Sequence, residues 1–293
     1  MIELRIKNIL LHLRLPFSFF LLPIFIFSLS QSLSIDKWNS IIIFISLHLF
    51  IYPASNAYNS FMDRDTGSIG ALKNPPPVSR GLYLASIWLD IIGVLLLWLI
   101  DFRLIFLMLV YIGVSKSYSW TGIRLKKYPY IGWLTVVVFQ GGYTFMLVSM
   151  SSESVFSIEW FSLQKAECMI LSTLLIGAYY PLTQIYQHEE DSKRGDYTIS
   201  YRLGIRGTFL FSALLFFVSV MVALHYFGNY YSYTQFMVFC TCLLPAIIYF
   251  LIWFLKTENN IKYASFSHAM HMTIISSTCL TIGFIILFLI NHY

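Results

Sequence analysis

Gly207-Thr-Phe-Leu-Phe-Ser-Ala-Leu-Leu-Phe-Phe-Val-Ser-Val-Met-Val-Ala-Leu-His-Tyr-Phe227 runs for 21 residues without one Asp, Glu, Lys or Arg. A helix rises about 1.5 Å per residue, so this stretch crosses the roughly 30 Å of hydrocarbon in a bilayer. Eight more stretches read the same way, near residues 15–34, 39–59, 81–100, 103–119, 131–150, 166–187, 234–255 and 266–290. Apolar residues run continuously in them rather than alternating, which argues against a membrane barrel. The expected fold class is therefore an all-α polytopic membrane protein with about nine transmembrane helices, one domain over residues 1–293. Composition agrees: the chain is 58% hydrophobic and only 11% charged, where soluble domains carry about 25% charged residues. Mean hydropathy is +0.71.

The basic residues orient this bundle. With the N-terminus inside, Arg5, Lys7, Arg14, Arg64, Lys73, Arg80, Lys116, Arg124, Lys126, Lys127, Lys193, Arg194, Arg202, Arg206, Lys256 and Lys262 all fall on the cytoplasmic side. Only Lys37, Arg103 and Lys165 are left outside. That asymmetry is the positive-inside pattern. The net charge of +5 then points to an anionic inner leaflet and an anionic substrate, not to nucleic acid. Residues 17–29 could imitate a signal-peptide core, but Pro16 and Pro23 suit a kinked, retained first span. Cys168, Cys240, Cys242 and Cys279 lie inside spans, in no zinc-like spacing, and read as small packed hydrophobes.

Three ionisable segments stand out against this apolar background, all on the inner side. Asn59 and Asp63 are four residues apart, so a helix ending there presents both on one face. Arg64 and Asp65 follow, then a loop rich in Gly and Pro from Gly67 to Pro77. Gln187 and Asp191 repeat the spacing after the sixth span, with Glu189 and Glu190 between them and Lys193 and Arg194 after. The third segment runs from Lys116 to Lys127 and contains Tyr118, Arg124 and Lys126. Each alone could be a solvated end of a span, a salt-bridged loop or a headgroup contact. Together they offer two carboxylate banks for Mg²⁺, which keeps several waters and binds phosphate-bearing substrates. They also offer a basic edge for a diphosphate. The two acidic banks lie four helices apart, a weak internal echo.

Residues in this order resemble the UbiA superfamily of intramembrane prenyltransferases. Asn59 and Asp63 match that superfamily's first Asp-rich motif. Asp191-Ser-Lys-Arg-Gly-Asp-Tyr-Thr198, with Leu203-Gly204 beyond, matches the segment that closes the second. Tyr118-Ser119-Trp120 to Arg124-Leu125-Lys126 is similar to its Tyr/Lys segment. Departures are Ser60 where an Asp is common, Gly67 at the third acidic position, and Gln187 at the first position of the second motif. The resemblance implies nine helices around a central cavity, a cap made by cytoplasmic loops near 60–80, 119–130 and 188–206, Mg²⁺ as cofactor, and prenyl diphosphate as substrate.

The site expected on these grounds has Asp63, Asp65, Gln187, Glu189 and Asp191 as metal ligands. Asn59, Arg64, Arg124, Lys126 and Lys193 are expected on the diphosphate. Asp63, Asp191, Tyr118 and Lys126 carry the catalysis. The reaction expected is transfer of a prenyl group to a small aromatic or lipid-like acceptor, at the cytoplasmic face of a bacterial-type inner or cell membrane. The partners are then the prenyl diphosphate, a hydrophobic acceptor and membrane lipids. The alternatives are a terpene cyclase that needs no acceptor, and a lipid-binding or transport protein without chemistry; transporters place their ionisable residues nearer the midplane. Asp90, inside the third span, is costly unless protonated or paired, for which a buried His or a Tyr hydroxyl is expected. His48, His225, His268 and His271 also fall within spans, and His268 and His271 are spaced to form a pair on the last helix.

Overall fold

The computed structural model describes residues 2–293, with side chains from residue 6 onward; the side chain of Arg5, one of the basic residues used for orientation, lies outside the described residues. Among the described residues there is no strand, only one isolated bridge between Ile69 and Leu72. Among the described residues, nine helical segments are long and apolar enough to cross a membrane: α1 (Ile6–Ser30), α2 (Lys37–Asp63), α3 (Arg80–Leu99), α4 (Phe102–Ser119), α5 (Pro129–Glu153), α6 (Leu163–Arg194), α7 (Ile199–Tyr230), α8 (Tyr233–Asn259) and α9 (Phe266–His292). The all-α reading and the span count hold.

Local chemistry sets the helix ends. Asp36 accepts from the Asn39 amide (2.9 Å) to start α2, and Ser162 accepts from Lys165 N (3.2 Å) to start α6. Each satisfies an amide that a helix start leaves without a partner. Pro129 opens α5, where its missing N–H costs nothing. Arg64 and Gly195, both left-handed, close α2 and α6.

Those closures lie further along than the hydropathy pattern suggests. The turns bearing Asn59 and Asp63, and Gln187 to Arg194, are helical extensions of α2 and α6. Of the loop expected over 188–206, only residues 195–198 lie between helices.

Lipid supplies no hydrophobic drive for helices to associate, so close packing and internal polar contacts must hold the bundle. At Gly141 in α5, an added Cβ would lie 2.7 Å from the Ser172 carbonyl oxygen of α6, so only glycine permits this approach. Aromatic and aliphatic side chains fill the half away from the acidic turns, with Phe27, Phe145, Tyr226, Phe227 and Phe284 fully buried. That end is cross-linked by a buried polar knot. Lys165 pairs with Glu153 and donates to Gln31 O (3.0 Å) and Ser149 Oγ (3.1 Å). Tyr226 donates to Gln31 Oε1 (2.7 Å), and Asn291 to Ser30 O (2.7 Å). Spans α1, α5, α6, α7 and α9 are thereby tied at one end, and the cavity sits at the other.

Asp90 in α3 has found a partner other than the His or Tyr expected. Its Oδ2 is 2.6 Å from Lys116 Nζ of α4, and that ammonium also lies 4.2 Å from the centre of the Tyr58 ring. Lys116 therefore belongs to a pair between spans. His268 is bonded to Tyr249 OH (2.9 Å) and stacks on Trp253, and His48 is bonded to Ser18 Oγ (2.7 Å). Both act as packed, hydrogen-bonded histidines.

Candidate functional site

A cavity of about 190 Å³ opens at the end of the bundle where α2 and α6 terminate. The last turns of α2 present Asn56, Asn59 and Asp63 to it. Their spacing of three and four residues puts them on one helical stripe. From α6 come Tyr180, Gln184, Gln187 and Asp191, again successive turns of one face. Tyr111 and Tyr118 of α4 and Phe139 of α5 form aromatic walls. Lys126 enters from the short connection before α5, and Arg14 from the break in α1.

Electrostatics centre on Asp63, which is 3% exposed as a side chain. Lys126 Nζ approaches its Oδ2 at 2.6 Å, Asn59 Nδ2 donates to the same oxygen at 2.9 Å, and Arg124 lies 3.4 Å from Oδ1. Arg124 is itself oriented by Asp196, which accepts from its Nε and a terminal nitrogen at 2.7 and 2.8 Å. Lys126 also reaches Asp196, at 3.2 Å. Burial acts to raise the Asp196 pKa, but hydrogen bonds from Arg124 and the nearby Lys126 outweigh it and hold the pKa below its ordinary value. Those same hydrogen bonds, working against partial burial, raise the Arg124 pKa. Arg124 thus stays charged and fixed beside Asp63, with Lys126 on the other carboxylate oxygen. Tyr118 OH and Tyr180 OH are hydrogen-bonded to each other across the cavity.

Seven expected residues meet here: Asn59, Asp63, Asp65, Tyr118, Lys126, Gln187 and Asp191 line the cavity. Arg124 touches Asp63 from behind. Three others lie elsewhere. Glu189 and Lys193 form an exposed pair at 2.6 Å, with side chains 85% and 70% exposed. On a helix Glu189 lies two residues, about 200°, from Gln187, so it faces away from the stripe that carries Gln187 and Asp191. Arg64 closes α2 in a left-handed conformation, over the Phe61 ring, and lines a separate hollow with Pro75, Arg80 and Tyr83. Asp65, though it lines the cavity, is paired with Arg194.

Arg14 and Asp196 are residues that sequence reasoning missed, as are the cavity-wall aromatics Tyr111, Phe139 and Tyr180. Arg14 is buried, donates to Asn56 O (3.1 Å) and Asn59 Oδ1 (3.5 Å), and holds the left-handed conformation rare for a residue with a side chain. Its position one residue before Leu15-Pro16 was the available signal. Asp196 lies inside the quoted Asp191–Thr198 segment, where its acidity alone gave no hint of its partner.

Among the described residues, no group of three or more His, Cys, Asp or Glu forms a protein-only metal cage. The donors present still fit a hard divalent cation. Asp63 Oδ1 is buried without a hydrogen-bond partner, and Asp191 shares the cavity with hard oxygens from Asn59 and Gln187. Mg²⁺ needs only one or two such carboxylates when substrate phosphates and water complete its octahedron.

Comparison with known proteins bears on this geometry. The model of the UbiA prenyltransferase family matches residues 20–277. A UbiA homolog from Archaeoglobus fulgidus bound to DMAPP and Mg²⁺ superposes with a TM-score of 0.70 at 17% identity, covering 96% of this chain and 99% of that one. The same homolog bound to GPP and Mg²⁺ gives 0.66 at 18% identity, with coverage again 96% and 99%. The apo UbiA homolog from Aeropyrum pernix K1 gives 0.68 at 12% identity, over 93% of this chain and 98% of that one. No curated protein matches by sequence. At these identities the likeness is one of fold.

Proposed function

The chain belongs to the UbiA prenyltransferase family, and we propose that this integral, multi-pass membrane protein ionises an allylic prenyl diphosphate in the cavity between α2 and α6 and transfers the prenyl group to a small, aromatic or lipid-like acceptor. The observation that carries this reading is the buried juxtaposition of Asp63, whose Oδ1 has no hydrogen bond and only a 3.4 Å ion-pair contact, against Lys126 and Arg124. A carboxylate beside two fixed cations suits a ligand that brings both a cation and an anion. The Archaeoglobus homologs with bound DMAPP or GPP and Mg²⁺ support that choice of ligand.

Asp63 and Asp191, with Asn59 and Gln187, would hold Mg²⁺, and Asp65 would join them if Arg194 released it. When bound, Mg²⁺ supplies charge neutralisation to the diphosphate oxygens. Lys126, which lines the cavity, then meets the oxygens on which charge grows as the C1–O bond breaks and its electron pair leaves with the diphosphate, while Arg124 holds Asp63 from behind. The linked hydroxyls of Tyr118 and Tyr180 can donate to the same leaving group. Faces of Tyr111 and Phe139 stabilise the allylic cation by their quadrupoles and keep water from it. An electron pair of the acceptor forms the new bond to C1, and the acceptor's displaced proton passes to solvent. The excess of basic residues around this end supports a cytoplasm-facing site.

The test is purified protein in detergent with Mg²⁺ and a panel of allylic diphosphates of different lengths, with and without aromatic and lipid-like acceptors. Diphosphate release coupled to a prenylated acceptor supports the proposal. Hydrocarbon or terpene alcohol formed without acceptor would redirect it to cyclisation. No release from any donor would remove the enzyme reading.

A further inference from the structure

The two acidic turns are joined directly, and the joint explains a glycine. Glu190, on the outermost turn of α6, reaches across to the start of the loop that follows α2. Its Oε1 accepts from the backbone amides of Thr66 (3.0 Å) and Gly67 (3.2 Å). The same oxygen accepts from Arg194, one turn further along, at 2.6 Å. Arg194 spends its other terminal nitrogen on Asp65, so four groups form one continuous clamp: loop amides, Glu190, Arg194 and Asp65. Asp65 is the member that lines the cavity.

Gly67 is where the clamp closes. A Cβ built there would overlap Glu190 Oε2 and lie 3.3 Å from the Glu190 carboxyl carbon. The Glu190 carboxylate thus occupies the volume that a side chain at position 67 would take. Gly67 does not have a positive φ, unlike Gly195 and Gly204. Its backbone would accept any residue; a side chain there would have to push the Glu190 carboxylate off the Thr66 and Gly67 amides.

We propose that Glu190 is a positioning residue which supplies, from the opposite acidic turn, the carboxylate that position 67 does not carry, and so fixes Asp65 and Arg194 at the mouth of the donor site. The importance assigned to that mouth rests on the prenyl-diphosphate reading above. Charge logic supports the role. Arg194 shared between two carboxylates is anchored at a definite point; held by Asp65 alone, it would screen a cavity carboxylate and swing with a loop that had lost both amide contacts. Glu190 does not line the cavity and acts through its neighbours.

The proposal predicts that Gly67 and Glu190 are exchangeable as a pair. Thermal unfolding in detergent without ligand, and KM and kcat for the allylic donor found active, are measured on Glu190→Ala, Gly67→Asp and the double variant. Glu190→Ala should lower Tm by roughly 2–6 °C and raise donor KM about tenfold, with kcat within about threefold. Gly67→Asp alone should do the same, because its carboxylate meets that of Glu190. The double variant, with the carboxylate now on position 67, should recover more than half of both losses. A double variant no better than the worse single would overturn the proposal, as would a Glu190→Ala enzyme with unchanged Tm and KM. The unfolding arm needs no substrate. Recovery of Tm in a protein that releases no diphosphate would therefore sink the transferase reading and the catalytic role of the mouth, while failed recovery in an active enzyme would sink the pairing alone.

Discussion

Replacing Lys126 with Met keeps the length of the side chain and removes its charge. In the folded protein Lys126 sits 2.6 Å from Asp63 and 3.2 Å from Asp196, with its own side chain 9% exposed and those carboxylates 3% and 1% exposed. Removing one partner of a buried pair typically costs about 3–5 kcal/mol, since the other charge is left uncompensated. Asp63 would still keep Arg124 at 3.4 Å and the Asn59 amide at 2.9 Å, and Asp196 keeps both Arg124 contacts. The expected loss is therefore at the lower edge of that range, about 3 kcal/mol. The effect on chemistry should be larger. Losing one preorganised donor to developing negative charge costs about 10²–10³ in kcat. A second variant separates the two: adding Asp63→Asn to Lys126→Met removes the stranded carboxylate, so stability should return by more than half while turnover stays lost. Thermal unfolding in detergent and release of labelled diphosphate read the two quantities. Unchanged turnover in Lys126→Met, or stability that falls further in the double variant, would refute the placement of Lys126 between carboxylate and substrate.

Other substitutions map the limits of the site. Glu189→Gln and Lys193→Ala, which break only an exposed i,i+4 pair, should leave the unfolding transition unmoved, since solvent screens such pairs, and leave donor KM within about twofold in steady-state assays. Lys165→Met strands Glu153 in the buried knot at the far end; unfolding should show a loss of about 3–5 kcal/mol with donor KM unchanged. For Asp196, whose folded pKa lies below the ordinary 3.8, stabilisation is fully present above that value and is lost as pH falls through the depressed one. Tm contributed by this group should thus be flat near neutral pH and decline only below about pH 4, and Asp196→Asn should abolish that part of the acid decline.

Hydropathy made the bundle legible because hydrocarbon thickness leaves few alternatives to a 20-residue apolar helix. It located the spans and missed their polar last turns, since Asn59–Asp63 and Gln187–Arg194 lack the apolar signal while remaining helical. That error had a consequence. With 188–194 taken as loop, Glu189 looked as able to reach metal as Asp191; on a helix, the 100° step per residue turns Glu189 and its i+4 neighbour Lys193 outward together. The acidic stripe itself was readable, because Asn59 with Asp63 and Gln187 with Asp191 share faces by spacing alone. Partnerships across the bundle were not. Asp90 with Lys116, Arg124 with Asp196, and Glu190 with the Thr66 and Gly67 amides depend on which helices are neighbours, and no local pattern encodes that. Arg14 was hidden for a related reason: in the sequence it counted only as one of the basic residues that orient the bundle, until the break in α1 turned it inward.

Everything in the proposed chemistry depends on Asp63 and Asp191 binding the Mg²⁺ diphosphate together from two helices. The direct measurement is Mg²⁺-dependent diphosphate release from an allylic prenyl diphosphate by the wild type, Asp63→Asn and Asp191→Asn, each verified as folded by its unfolding transition. The account predicts release by the wild type that stops on chelation of Mg²⁺, and a loss of at least about 10²-fold in each variant. Folded variants that turn over donor at the wild-type rate, or wild-type release that persists in excess chelator, would contradict it.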